Sequence, residues 1–266
     1  MVWTVFFDRD HREPPNSKSD IHGCCPVRRR NDRKQLMQAY ILCGGQGTRL
    51  RSVTKNTQKT VVDIHGRPFL SLVLGQLRQA GITKATLCAG YRADQLAELL
   101  PGIAKNSGLD LDLVVETAPL GTGGAVLNGI RQTPPSERYL VVNADTFLDA
   151  QAYRQAIAAR HDCLVAVRVT DRARFGSLLC RDDGLVQQLQ EKGIAGPGLI
   201  NGGVYGFSAT TLAELPIRPC SMEHDILPEL IRRRQLFAVE YAGPFSDIGT
   251  PESLEAFKLE TTQCKS

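Results

Sequence analysis

From Gln38 onward the chain alternates short apolar runs with amphipathic stretches. "AYILC" (39–43), "KATLCAG" (84–90), "LDLVVE" (111–116) and "YLVVNAD" (139–145) are bounded by glycine, proline or polar residues and read as strands. Between them, "FLSLVLGQLRQAG" (69–81) and "RADQLAELLPG" (92–102) repeat Leu and Val at helical spacing and stop at glycine, which predicts two helices. Strand–helix alternation predicts an α/β fold with a mostly parallel central sheet flanked by helices. The pattern then changes. "DCLVAVRV" (162–169), "GSLLCRDDGLVQQLQ" (176–190) and "LINGGVYGF" (199–207) predict a smaller antiparallel part, with "RDDG" as a hairpin turn. "PESLEAFKLETT" (251–262) opens on Pro251 and Glu252, a good helix start. No internal repeat is present, which excludes an appended hexapeptide β-helix.

Residues 1–37 lack any hydrophobic period and read as an irregular N-terminal extension or linker, with 38–266 as a single domain. Within the extension, "VFFDRD" (5–10) is similar to the aspartate motif that opens haloacid-dehalogenase-type phosphatases. His11, Arg12 and Glu13 stand where small residues are expected, and the segment is too short for that fold, so no phosphatase site is expected.

Composition changes this picture little: 42% hydrophobic and 23% charged is ordinary for a globular chain. A net charge of +4, with the part after residue 38 nearly balanced, implies no basic face, so nucleic acid is not an expected partner. The eight cysteines form no CxxC pair, and Cys43 and Cys88 sit in apolar runs as small hydrophobes. No signal peptide and no run of 18 apolar residues is found, so the expectation is a cytoplasmic protein without a membrane partner.

The chemistry concentrates in "LCGGQGTRLRSVTKNTQKT" (42–60). Glycines at 44, 45 and 47 after a strand allow consecutive backbone N–H groups to turn inward on an anion, and Arg49 and Lys59 add fixed positive charge. Neither the P-loop motif nor G-x-G-x-x-G fits, so on residues alone a phosphate cradle and a structural turn both stand. Asp145 and Asp247 each end an apolar or turn-forming segment, where open α/β sheets present carboxylates to ligands, and such a pair suits Mg²⁺. Taken alone, Asp145 reads equally well as the N-cap of a following helix. His224 reads as a surface or capping residue.

"GGQGTRL", Lys59 and "HGRPFL" (65–70) resemble the signature of sugar-1-phosphate nucleotidyltransferases, and the resemblance continues through "ETAPLGTGGA" (116–125), "NADT" (143–146), "FG" (175–176), "EKG" (191–193), "NGGVY" (201–205) and "DIGTPES" (247–253). Within that family the chain is most similar to the short GDP-heptose branch, the D-glycero-D-manno-heptose 1-phosphate guanylyltransferases, on "GTRLRSV", "PLGTGGA", "INGGVY" and "SMEHDILPEL". The family's usual Pro-Lys-Pro is here Gln58-Lys59-Thr60, which loosens the loop carrying Lys59, and Arg67 replaces the lysine of Gly-Lys-Pro.

The resemblance implies a Rossmann-like nucleotidyltransferase fold and in-line attack of a sugar 1-phosphate oxygen on the α-phosphorus of a nucleoside triphosphate, with Mg²⁺ as cofactor. It implies that Arg49 and Lys59 are catalytic, that Leu42, Gly44, Gly45, Gly47, Thr48, Glu116, Gly121, Thr122 and Gly123 hold the nucleotide, and that Asp145 and Asp247 hold the metal. Gly176, Glu191, Lys192, Asn201 and Gly202, with Gly203 beside it, would hold the sugar phosphate. Glu116 occupies a position the family uses to read the base. An ionised carboxylate only accepts, and guanine offers two adjacent donors, N1–H and the 2-amino group, so GTP is the favoured nucleotide. The partners expected are GTP, or another nucleoside triphosphate, and a sugar 1-phosphate, favoured as D-glycero-α-D-manno-heptose 1-phosphate. A uridylyl- or thymidylyltransferase, a mannose-1-phosphate guanylyltransferase and a silent nucleotide-sugar-binding regulatory subunit remain as alternatives, and a homodimer is one possible assembly.

Overall fold

The computed structural model describes residues 2–4, 37–45, 47, 50 and 57–263. In chain order the strands are β1 (Val2–Thr4), β2 (Gln38–Leu42), β3 (Asp63–Ile64), β4 (Arg67–Pro68), β5 (Lys84–Ala89), β6 (Asp110–Val115), β7 (Tyr139–Asn143), β8 (Thr146–Leu148), β9 (Cys163–Val169), β10 (Ser177–Cys180), β11 (Val186–Gln190), β12 (Gly198–Phe207), β13 (Phe237–Tyr241) and β14 (Phe245–Asp247). The helices are α1 (Phe69–Gln79), α2 (Ala93–Ser107), α3 (Gly121–Gln132), α4 (Ala150–Ala158), α5 (Leu227–Arg232) and α6 (Pro251–Gln263), with a 3₁₀ turn at Lys59–Val61 and a π-helical turn at Met222–Ile226.

A ten-stranded sheet runs in the order β1-β6-β5-β2-β7-β12-β10-β11, with β9 pairing β12 and β13. β6, β5, β2 and β7 are mutually parallel, whereas β12 runs antiparallel to β7, β9 and β10. The expected parallel half and antiparallel half are therefore parts of one sheet. β12 joins them: its last four residues pair with β7, while its register with β9 breaks between Asn201 and Tyr205. The alternation along β2 sends Ala39 and Ile41 to one face and Tyr40 to the other, and a separate apolar core covers each face. Burial on both sides is why the parallel strands read as continuous apolar runs.

α1 follows its prediction, burying Phe69, Leu70, Val73, Leu74 and Leu77 and ending before Gly81, whose φ is +97°. α2 is longer than the expected 92–102. It continues through Pro101 and Gly102 because Ile103 and Ala104 extend its buried face, and it stops at Gly108 with φ +66°. Three residues of the segment read as irregular, Val2–Thr4, form an antiparallel edge strand on β6, consistent with the strand preference of Val, Trp and Thr. The phosphatase-like "VFFDRD" lies outside the described residues.

Candidate active site

The C-terminal ends of β2, β5, β6 and β7 share one edge of the sheet, and each strand leads into a residue of interest: Gly44, Gly90, Glu116 and Asp145 respectively. Two cavities open there. The smaller, about 360 Å³, is lined by Leu42, Gly44, Gly45, Gly47, Lys59, Glu116, Gly121 and Thr122. The larger, about 790 Å³, is lined by Gly176, Glu191, Lys192, Asn201, Gly203 and Asp247. Asn143 and Asp145 line both, so the cavities meet at the end of β7.

Glu116 is held for the smaller cavity by close packing and by one hydrogen bond. Leu120 N donates to its Oε2 at 3.0 Å, and a Cβ at Gly90 would stand 2.0 Å from its Oε1, so glycine there leaves room for the carboxylate in this position. Burial raises the carboxyl's pKa above its ordinary value, and the Leu120 N–H partly offsets that. Gly121 opens α3 with φ +70°, and a Cβ there would come within 2.6 Å of the Cys220 carbonyl oxygen. Neighbouring Cys43 is no nucleophile, because burial pushes its thiol up to about 12.

Asp145 and Asp247 are brought together by pairing of β8 with β14, which sets Asp247 opposite Thr146, and by Ile248 N donating to Asp145 O at 2.9 Å. Both carboxylates are already matched by cations. Lys59 Nζ donates to Asp145 Oδ2 at 2.6 Å, and Arg174 Nη2 lies 3.1 Å and 3.3 Å from the two oxygens of Asp247. Asp145 is not the cap of the following helix. Asp149 takes that part, accepting from Gln151 N at 2.8 Å.

Among the described residues, two that were expected at the site, Gly202 and Gly123, line neither of the two cavities. Gly202 faces Val165 and Val167 of β9, because alternation along β12 turns it from the cavity that Asn201 and Gly203 line. Gly123 donates to Cys220 O at 2.9 Å and packs α3 against Cys220 and Ile226. The Thr122 hydroxyl donates to Glu223 Oε2 at 3.1 Å and accepts from Met222 N at 2.8 Å, tying the smaller cavity to the π-helical turn. Thr48 and Arg49 lie outside the described residues. Sequence reasoning gave no role to Asn143, Arg174 and Glu223, which line the larger cavity; His224, read as a surface or capping residue, lines it too. It is the surface reading that holds, with the His224 side chain 68% exposed: Ser221 Oγ caps the turn by accepting from Glu223 N and His224 N, and His224 Nδ1 lies 3.5 Å from Glu191 Oε1. "SMEHD" hinted at Glu223 and His224, since Ser followed by two acidic residues marks a capped turn, and Asn143 opens the quoted "NADT".

With this arrangement in place, the family description "Nucleotidyl transferase" matches residues 38–263, which take in both cavities. The chain belongs to the nucleotidyl transferase family. It is 31% identical over 223 residues to the D-glycero-alpha-D-manno-heptose 1-phosphate guanylyltransferase of Campylobacter jejuni, a match covering 84% of this chain and 99% of that protein. It is 32% identical over 226 residues to the mannose-1-phosphate guanylyltransferase catalytic subunit beta of Drosophila melanogaster, covering 81% of this chain but only 60% of the length of that relative. The crystal structure of HddC from Yersinia pseudotuberculosis superposes with a TM-score of 0.75 at 32% identity, covering 85% of this chain and 99% of that one, and HddC has also been solved in complex with GMP-PN. Mostly parallel strands, flanking helices and a smaller antiparallel part are thus the nucleotidyl transferase fold. Among the described residues no helix is long and apolar enough to cross a membrane.

Proposed function

We propose that this nucleotidyl transferase moves the GMP unit of GTP onto the phosphate of a sugar 1-phosphate, favoured as D-glycero-α-D-manno-heptose 1-phosphate, and releases pyrophosphate. The observation that carries this reading is the meeting of two cavities at Asn143 and Asp145, one lined by glycines and the Glu116 carboxylate, the other lined by several charged side chains and more than twice as large. A sugar phosphate oxygen from the larger cavity forms a bond to the α-phosphorus while the bond from that phosphorus to the bridging oxygen of the pyrophosphate breaks. Both reactants already carry a competent nucleophile and leaving group, so the protein positions two anions and offsets their charge. Lys59, at the junction, stabilises charge developing on the α-phosphate. Arg49, outside the described residues, is assigned to the triphosphate by resemblance alone. Glu191, Lys192 and Asn201 take the sugar phosphate.

The donor set fits Mg²⁺. Asp145 and Asp247 are hard carboxylates joined across one strand pair, and among the described residues no cluster of three or more His, Cys, Asp or Glu could hold a metal without help. Asp145 and Asp247 would hold the ion, which would supply positive charge to offset the charge carried by the phosphates.

The test is pyrophosphate release in a grid of four nucleoside triphosphates against heptose, mannose, glucose and N-acetylmuramate 1-phosphates. Release with GTP and heptose 1-phosphate is expected. Similarity to the Drosophila protein makes mannose 1-phosphate the second reading of the sugar. Glu116→Gln replaces an acceptor pair with one acceptor and one donor, and a hydrogen bond to a charged group is worth about 1.5–3 kcal/mol. The ratio of kcat/KM for GTP over UTP is therefore expected to fall about 10- to 100-fold. An unchanged ratio would remove Glu116 from base recognition.

We further propose that residues 38–266 are the catalytic unit. β1 sits at an edge of the sheet, separated by β6 and β5 from β2 and β7, whose ends lead to the glycine stretch and to Asp145. Deleting residues 1–36 is expected to leave kcat within about threefold of the intact chain, since distant sites couple weakly. A dead but folded truncation would show that the extension takes part.

A further inference from the structure

Gln58 and Thr60 stand where the family's usual form has two prolines, and both are buried, at 1% and 4% exposure. The loss of two rings does not leave the Lys59 turn loose. Gln58 Nε2 donates to the carbonyl of Cys43, the residue before the glycine stretch, and Thr60 Oγ1 donates to Gln58 Oε1. Gln58 N donates to Gln95 Oε1 of α2 at 2.8 Å. The turn closes with Val61 N donating to Gln58 O at 3.1 Å. One buried side chain therefore ties the end of β2 to the turn, and its backbone ties the turn to a helix.

We propose that Gln58 is a positioning residue for Lys59, its hydrogen bonds holding the backbone that proline rings hold in the family's usual form. The backbone itself supports this: Gln58 has φ −61°, the value a proline ring imposes. A buried amide leaving its partners would forfeit its hydrogen bonds without gaining water, so the brace stays closed. Lys59, next in the chain and 14% exposed, is thereby delivered to Asp145 from a fixed base. The inference rests on the reading above that Lys59 stabilises charge on the nucleotide.

The experiment compares the wild type, Gln58→Ala and the double variant Q58P/T60P by two readouts. One is the rate at which an amine-acetylating reagent modifies Lys59, resolved by peptide and normalised to Lys84. The other is steady-state kinetics with GTP. In Gln58→Ala, Lys59 is expected to be acetylated several-fold faster. Its kcat should fall about 10- to 100-fold with little change in the KM for GTP, the sign of an interaction made mainly in the transition state. Q58P/T60P also removes the Gln58 N–H that Gln95 Oε1 accepts, but it should still return both readouts close to wild type, because the two rings fix the backbone that the side-chain bonds fix. Should Gln58→Ala fail to fold, the double variant, which removes the same side-chain bonds, carries the test alone. Wild-type labelling in Gln58→Ala would overturn the proposal, as would a folded Q58P/T60P that labels fast and turns over slowly. A wild type inactive across the substrate grid would sink the functional reading instead, while the labelling comparison would still report on the brace.

Discussion

Replacing Lys59 by methionine is expected to lower kcat for pyrophosphate release by about 10²- to 10³-fold, the usual loss when one fixed stabiliser of transition-state charge is removed. Methionine keeps most of the aliphatic stem and deletes only the ammonium. In the structure that ammonium sits 2.6 Å from Asp145, so it also competes with any cation for the carboxylate. The variant should therefore need less Mg²⁺ for half-maximal rate even as its maximal rate collapses. The two effects have opposite signs, and a Mg²⁺ titration of initial rates reads both. If kcat holds and only the Mg²⁺ requirement changes, Lys59 merely screens Asp145.

Asp145→Asn should have the larger effect, about 10³-fold or more in kcat, since losing a metal-supporting carboxylate removes several kcal/mol of charge stabilisation. Its Mg²⁺ requirement should rise where that of Lys59→Met falls. Stability should hardly move. The Lys59–Asp145 pair is partly open to solvent, with the carboxylate 41% exposed, and such pairs contribute about 0–1 kcal/mol. For a chain of this size that is a shift in Tm of no more than a few degrees. A thermal melt beside the rate measurement separates the roles: a variant that loses activity and ten or more degrees of Tm together would make Asp145 a structural residue.

The parallel strands were legible because burial on both faces makes them uniformly apolar, and α1 because its five buried residues repeat at helical spacing. α3 was hidden by Gly121, Gly123, Gly124 and Gly129, residues that disfavour a helix. It forms because three of them let the helix pack closely: Gly123 and Gly124 against residues 218–226, and Gly129 against Tyr40 and Cys88. The glycine stretch, Glu116, Asp145 and Asp247 could be picked out from motif resemblance and from their places at strand ends. Arg174 could not, because its partner Asp247 lies 73 residues away and no local pattern announces the pair. Gln58 was misjudged for a related reason. The missing prolines are visible in the sequence, but the compensation comes from Cys43 and Gln95, 15 and 37 residues distant.

β12 has a consequence for how the molecule comes apart. Along one edge its last four residues pair with β7 and Leu199 and Ile200 pair with β10, while β9 pairs along the other edge. Peeling away either β7 or β9 would bare a row of unpaired amides and carbonyls on β12. The two substrate cavities therefore rest on a single cooperative unit, with no seam in the sheet along which one could be inherited, lost or melted without the other.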